Sequence, residues 1–216
     1  MSPSDLDLTL SIKLFGALFA VMNPLTIITV FLSLTAGRSP AERRSTMLVL
    51  NATVALGCLA CALGGRWVLG IFGIDVTHFQ LAGGLIVLLL ALSMLSGEEQ
   101  SAHSGTSDEK KTYSSASSIG VYPLGIPLAI GPGTMTTIII FSQSSRRPGG
   151  EAGFYLALVG YIIFFSVCIA VAPILSRVLS ITALSVSKRL MGVVLAAIAT
   201  EMITAALGRL FPAWLA

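Results

Sequence analysis

Apolar residues form six long runs along the 216-residue chain, and short polar stretches separate the runs. About 20 helical residues are enough to cross a hydrocarbon core of about 30 Å. The runs cover roughly residues 8–35, 44–71, 78–96, 119–143, 152–179 and 187–210. The pattern therefore predicts an all-α integral membrane protein with six transmembrane helices, which leaves almost no residues for a soluble domain.

One long polar segment divides the six runs into two groups of three. Residues 96–118, SGEEQSAHSGTSDEKKTYSSASS, are rich in serine and show no apolar period, which is typical of a flexible linker. We expect a first three-helix repeat in residues 1–98, a linker in residues 99–118 and a second three-helix repeat in residues 119–216. His103 lies in this linker, and we expect it to be solvated.

The two groups share a motif at one fixed offset. A shift of 108 residues superposes three motif residues and one glycine without a gap: Pro24 on Pro132, Thr26 on Thr134, Thr29 on Thr137 and Gly84 on Gly192. Such a match indicates an internal duplication. Because three crossings are an odd number, the second half must enter from the opposite face. The chain is therefore predicted to form two inverted three-helix repeats, an architecture typical of secondary transporters.

Asn-Pro and Gly-Pro-Gly interrupt the first and fourth runs near their midpoints. Proline has no N–H and its ring opposes the carbonyl four residues back, so helices 1 and 4 should break near the bilayer midplane. Asparagine is a strong N-cap and proline suits the first helical position, so each break should start a half-helix. Such a start attracts an anion. The expected substrate-binding residues are Asn23, Pro24, Thr26, Gly131, Pro132, Gly133 and Thr134.

Other polar residues in the spans are weaker candidates for the same site. Thr29, Thr137 and Asn51 are secondary candidates, as is Ser93, the repeat partner of Glu201. Proline kinks that only shape helix packing stay open as the alternative interpretation of both breaks, because proline and glycine are common in membrane helices.

Glu201 is a carboxylate close to the centre of the sixth run. A charge at that depth costs about 2.5 kcal/mol or more, so we expect it to face the bundle interior, along a stripe of small residues. It is a candidate for proton coupling or for binding a substrate ammonium. A structural hydrogen bond from a protonated Glu201 is the alternative.

The 13 Lys and Arg residues bear on topology and not on nucleic-acid binding. With the N-terminus outside, eight fall on the inner side and five on the outer side, so the N- and C-termini are both expected in the periplasm. The inner set is Arg38, Arg43, Arg44, Lys110, Lys111, Arg177, Lys188 and Arg189.

Redox and enzymatic chemistry find little support in the sequence. The CLAC segment (58–61) has small apolar neighbours, which favours helix packing over metal or redox chemistry. The spans hold no Gly-x-Ser-x-Gly motif, and no nucleophile–base set is evident. We expect no enzymatic activity, no cofactor, no metal and no nucleic-acid partner.

The residues around the two breaks resemble the MarC family of six-span bacterial inner-membrane proteins, which is related to small neutral amino acid transporters. The segments that carry the resemblance are LFGALFAVMNPLT (14–26), AGGLIV (82–87), GPGT (131–134) and RLMG (189–192). The resemblance implies a bacterial inner membrane location and ion-driven transport of glycine, alanine and similar amino acids. Glu201 departs from the neutral polar residue of some members, which argues against a family-wide coupling role.

Together these observations predict a secondary transporter or exporter of small neutral amino acids or similar zwitterions, with alternating access about a midplane site. A passive channel or a membrane stress component without coupled transport is the alternative. The expected partners are the lipid bilayer, a small-molecule substrate and a coupling proton or sodium ion. A homo-oligomer is also compatible with the sequence.

Overall fold

The computed structural model describes residues 7–96, 116–145, 150–178 and 181–212, and it is helical with no strand in those ranges. Within those ranges five helical stretches are long and apolar enough to cross a membrane, and the bent pair Gly120–Ala129 and Pro132–Ser144 is a candidate for a sixth span. Most of the expected linker, with His103, lies outside the described residues. The helices are α1 (Leu8–Met22), α2 (Pro24–Leu34), α3 (Pro40–Ile71), α4 (Val76–Ser96), α5 (Ala116–Ile119), α6 (Pro132–Ser144), α7 (Gly150–Ala170), α8 (Ala172–Val178) and α9 (Ile181–Leu210).

The six predicted spans agree with these helices, except that the fifth span is divided into two helices. Instead of running on to residue 179, α7 ends at Ala170 and α8 starts after Val171. Pro173 explains the interruption, because its ring opposes the carbonyl of Ile169 and it lacks an N–H. The helix restarts when the N–H of Ile174 donates to the Val171 carbonyl at 2.9 Å.

Helices α4 and α9 form the most extensive helix–helix contact, an antiparallel seam of small residues. A Cβ added to Gly84 would lie 3.3 Å from the Ala199 carbonyl oxygen, and one added to Gly192 would lie 3.1 Å from that of Ala91. Gly84 and Gly192 are 108 residues apart, and so are Ala91 and Ala199. These reciprocal contacts are what a two-fold relation between the halves requires. The inverted repeat itself stays a prediction.

The main apolar core lies where α1 packs on α7 and where residues Gly120–Ala129 pack on α3. This irregular helical stretch is called the wound segment below. Gly120 lies at the contact between the wound segment and α3, where the two backbones approach each other closely. A Cβ on Gly120 would lie 2.8 Å from the Thr46 carbonyl oxygen. Cys58 is fully buried in this core, Cys61 packs against it, and both are free thiols. The packing interpretation of the CLAC segment agrees with this placement.

Candidate functional site

The first helix break is built on Asn23, which ends α1 and starts α2. Its backbone is left-handed, with φ 42° and ψ 75°, a region that asparagine tolerates better than most residues. Its N–H donates to the Phe19 carbonyl at 3.1 Å, and its side-chain oxygen accepts from the N–H of Thr26 at 3.4 Å. The prediction that Asn23 caps a helix starting at Pro24 is confirmed.

The second break is longer and more irregular. The wound segment Gly120–Ala129 contains extended backbone at Tyr122 and Ile126, next to the two prolines that follow them. The segment meets α6 at an angle of 61°. Helix α6 starts at Pro132 as predicted, but Gly131 offers no capping side chain. The first N–H groups of α6 therefore lack the side-chain acceptor that Asn23 gives to α2.

Threonine hydroxyls near both breaks are bonded to the backbone. Thr134 donates to the Ala129 carbonyl at 2.9 Å, across the second break. Thr137 donates to the Gly133 carbonyl at 2.8 Å, and Thr29 donates to the Thr26 carbonyl at 2.7 Å. Each of these hydroxyls has its proton committed, so it can meet a ligand only as an acceptor.

The two breaks lie close together inside the bundle. A Cβ on Gly133 would lie 3.2 Å from Cγ1 of Val21 and 3.0 Å from Cδ1 of Leu90, so α1 and α4 both cover the start of α6. Asn23 is only 8% exposed. Ser93 lies one turn beyond Leu90 and its hydroxyl donates to the Leu90 carbonyl at 2.9 Å. In this conformation Asn23, Pro24, Gly131 and Gly133 are buried, whereas Pro132 at the start of α6 is exposed.

Two cavities open on opposite faces of the bundle. The amino-terminal face is the one at which α1, α4 and α7 begin and α3, α6 and α9 end. Its cavity measures about 630 Å³ and includes Arg66, Glu151, Trp67 and Gln143 among its lining residues. The opposite-face cavity measures about 340 Å³ and is lined by three arginines and by six other residues. The arginines are Arg38, Arg43 and Arg44.

A packed layer separates the two cavities, although α3 and α7 line both of them. Fully buried Cys58 of α3 and Tyr161 of α7 belong to this layer. The second break reaches the same level, because a Cβ on Gly57 would lie 3.0 Å from the side chain of Ile130. Neither cavity is lined by Asn23 or by residues 131–134.

Three buried polar atoms have no hydrogen-bond partner among the described residues: Nε of Arg43, Oδ1 of Asn51 and the hydroxyl of Tyr161. Leaving such an atom unpaired costs about 1–3 kcal/mol, so it calls for an explanation. Asn51 was a secondary candidate, whereas sequence reasoning missed Tyr161. Its position in the sequence could have singled out Tyr161, because tyrosines of membrane helices are enriched at the interfaces and Tyr161 lies in the middle of its span.

The expectation that Glu201 faces the bundle interior is wrong for the single chain. Its side chain is 68% exposed and forms a 3.2 Å ion pair with Lys13 on the outside of the bundle. Ala197, Thr204 and Ala205, on the same stripe, are exposed too. The reason is that α9 turns its wholly apolar stripe toward α4, where Gly192 and Ala199 allow close backbone approach. That buried stripe is Gly192, Leu195, Ala199, Met202 and Ala206.

Comparison with known proteins places this architecture in a family. The model of the MarC family integral membrane protein matches residues 8–211. The UPF0056 membrane protein YhcE of Escherichia coli is 34% identical over 206 residues, which is 95% of each chain.

Two further organisms also carry similar proteins. The UPF0056 membrane protein YvbG of Bacillus subtilis is 30% identical over 201 residues, covering 93% of this chain and 95% of that protein. A UPF0056 membrane protein of Methanocaldococcus jannaschii is 32% identical over 202 residues, covering 92% and 96%. No solved structure matches. The chain belongs to the MarC family of integral membrane proteins.

Proposed function

We propose that the protein is a secondary transporter of small neutral amino acids or similar zwitterions. The observation that carries the proposal is the pair of half-helix starts at Pro24 and Pro132, which are 108 residues apart in the sequence and belong to spans that pack against each other. Broken helices at the midplane are the usual binding elements of transporters built from repeats. The resemblance to amino acid transporters supplies the substrate class.

The substrate carboxylate is assigned to the start of α6. Helix N-termini carry about half a positive charge and several free N–H groups, which suits a carboxylate. At α2 the Asn23 side chain already occupies part of this position, whereas Gly131 leaves the start of α6 without a capping side chain. The two breaks therefore have different roles: α6 binds the anion, and α2 is a self-capped hinge beside it.

The substrate ammonium needs buried acceptors, and Glu201 does not supply one within the single chain. Oδ1 of Asn51 is the better candidate, because it is enclosed and unpaired. It lies on α3 between Leu50 and Thr53, which pack against Gly120 and Gly125 of the wound segment. The Tyr161 hydroxyl is the second candidate.

Alternating access follows from the two cavities. The two cavities open on opposite faces of the bundle, and α3 and α7 line both of them. The packed layer and the second break lie between the cavities. Rocking one half against the other would extend one cavity to the α6 start while closing the other. In this account the burial of Asn23 and Gly133 represents an occluded conformation.

The three arginines of the opposite-face cavity support its assignment to the cytoplasmic side. Both termini then lie in the periplasm, and the membrane is the bacterial inner membrane.

Counterflow in proteoliposomes tests the proposal. Vesicles preloaded with unlabelled alanine should accumulate labelled alanine through wild-type protein, and saturation should be visible. Gly133→Leu should abolish the signal, because the new side chain meets Leu90 and Val21. Gly160→Leu is the matched control, since no atom lies within 4 Å of its Cβ position.

Unchanged counterflow in Gly133→Leu and in Asn23→Ala would count against the site. The passive channel makes a different prediction: flux that never saturates and shows no counterflow. That result would replace the carrier with the channel.

A further inference from the structure

The outer surface of α1 and α9 carries an ion pair inside the membrane-spanning region. Nζ of Lys13 lies 3.2 Å from Oε1 of Glu201, and the two side chains are 57% and 68% exposed. Glu201 lies about 5 Å along the helix from the centre of the span Ser185–Leu210, at 1.5 Å per residue. A lone chain in a bilayer would thus present two charges to lipid.

Charged residues at such depth are costly, and they normally face other protein or water. The neighbours of the pair suit protein contact. Ala197, Thr200 and Thr204 are exposed on the same side of α9, and small residues and threonines are typical of interfaces between membrane helices. The residues Lys13, Ala197, Thr200, Glu201 and Thr204 are called the α1/α9 face below.

We propose that the α1/α9 face is a dimer interface that binds the same face of a second copy of this chain. The charges of this face are the reason to expect a second copy of the chain as the partner. The face carries one positive and one negative charge, so a two-fold rotation about the membrane normal brings Lys13 of each copy toward Glu201 of the other. An isologous contact of this kind is self-complementary. The four charges then lie between proteins and no longer face lipid.

This inference does not depend on transport. The dimer satisfies an exposed polar face, whereas the proposed substrate site lies inside each chain at the α6 start. Loss of dimerisation and loss of counterflow are therefore separate outcomes.

Charge reversal gives a sharp test, with dimerisation of the full chain in liposomes measured by energy transfer between labelled copies at decreasing protein-to-lipid ratio. Wild type should associate. Lys13→Glu alone and Glu201→Lys alone should each raise the dissociation constant about tenfold or more, which corresponds to about 1.4 kcal/mol.

Two combinations should restore association. The double variant Lys13→Glu with Glu201→Lys keeps a self-complementary face. A mixture of the two single variants makes each face complementary to the other and should form mixed dimers. Arg66→Glu, a reversal on the exposed side of α3, should associate like wild type and is the matched control.

Disulfide trapping in membranes provides a second measurement. Thr204→Cys and Ala197→Cys should give oxidised dimers above the wild-type background. Leu56→Cys on α3, where the native side chain is 67% exposed, should not.

Three results would overturn the proposal. Wild type could stay monomeric at every protein-to-lipid ratio, which would mean that the pair reaches the lipid headgroups instead. The single reversals could associate as well as wild type. Leu56→Cys could trap dimers as efficiently as Thr204→Cys, which would place the contact elsewhere.

Discussion

The two helix breaks share a Pro-x-Thr pattern, yet they differ in how the chain satisfies their backbone groups. At the first break Asn23 caps both flanking helices, and residues 8–34 still count as one 27-residue span. At the second break Gly131 caps nothing, and the span bends by 61°. The Asn23 side chain therefore caps the start of α2, whereas the N–H groups at the start of α6 have no side-chain acceptor.

If the two halves are repeats, as proposed, the difference would leave one anion-binding helix start instead of two. Asn23 completes the first break from within the chain, so an anion has less to bind there. The second break retains the positive end of α6. The account thus assigns binding to one half and conformational flexibility to the other.

A large side chain at position 133, in the close contact beside the second break, should have the largest effect. Gly133→Leu should lower the free energy of unfolding by about 3 kcal/mol and abolish transport, because overpacking at a tight contact forces neighbours to move. Chemical denaturation and counterflow would measure the two effects. Gly160→Leu should change neither, and an equal loss there would show that the site itself is not special.

Removing the cap at the first break should have the next largest effect. Asn23→Ala should lower stability by about 2 kcal/mol, since it removes the cap and places alanine in left-handed backbone that asparagine tolerates better. Asn23→Gly should cost less, because glycine accepts that conformation. Thermal unfolding of the purified variants would decide, and equal losses for both would show that the left-handed backbone at residue 23 does not contribute.

Adding a cap at the second break should make the two breaks alike. Gly131→Asn should be about 1 kcal/mol more stable than Gly131→Ala, because only asparagine can accept from the α6 N–H groups. It should also bind substrate about tenfold more weakly, a loss of about 1.4 kcal/mol. Comparison with the alanine variant removes the steric effect of the new Cβ. Equal affinity in the two variants would argue against anion binding at α6.

The smallest effect is expected from the threonines that bond within their own helices. Thr137→Val and Thr29→Val should each change stability by less than about 1 kcal/mol, since each hydroxyl donates only to a nearby backbone carbonyl. Saturation curves for counterflow should shift little. A large rise in KM for either variant would instead place that hydroxyl on the substrate.

The sequence was sufficient to predict the spans and the positions of the breaks. Apolar run length locates membrane helices because the bilayer fixes their length, and Pro24 and Pro132 mark helix starts by their missing N–H. The fifth span is less regular than its apolar composition suggests, because Pro173 interrupts the helix.

Side-chain direction was harder to predict. Glu201 was expected to point inward because it is charged, but the direction of α9 follows from the small residues that pack on α4. That choice depends on the shape of the partner helix, which one sequence does not reveal. Tyr161 was missed for a similar reason: its hydroxyl matters only because the surrounding helices enclose it.

Ligand-induced thermal stabilisation of the purified protein tests the central claim most directly. Alanine and alaninamide share an ammonium and a methyl group, but only alanine has a carboxylate. If the α6 start binds the carboxylate, alanine should raise the melting temperature of wild type and alaninamide should not. Equal shifts with both ligands, or a shift with neither, would contradict the claim.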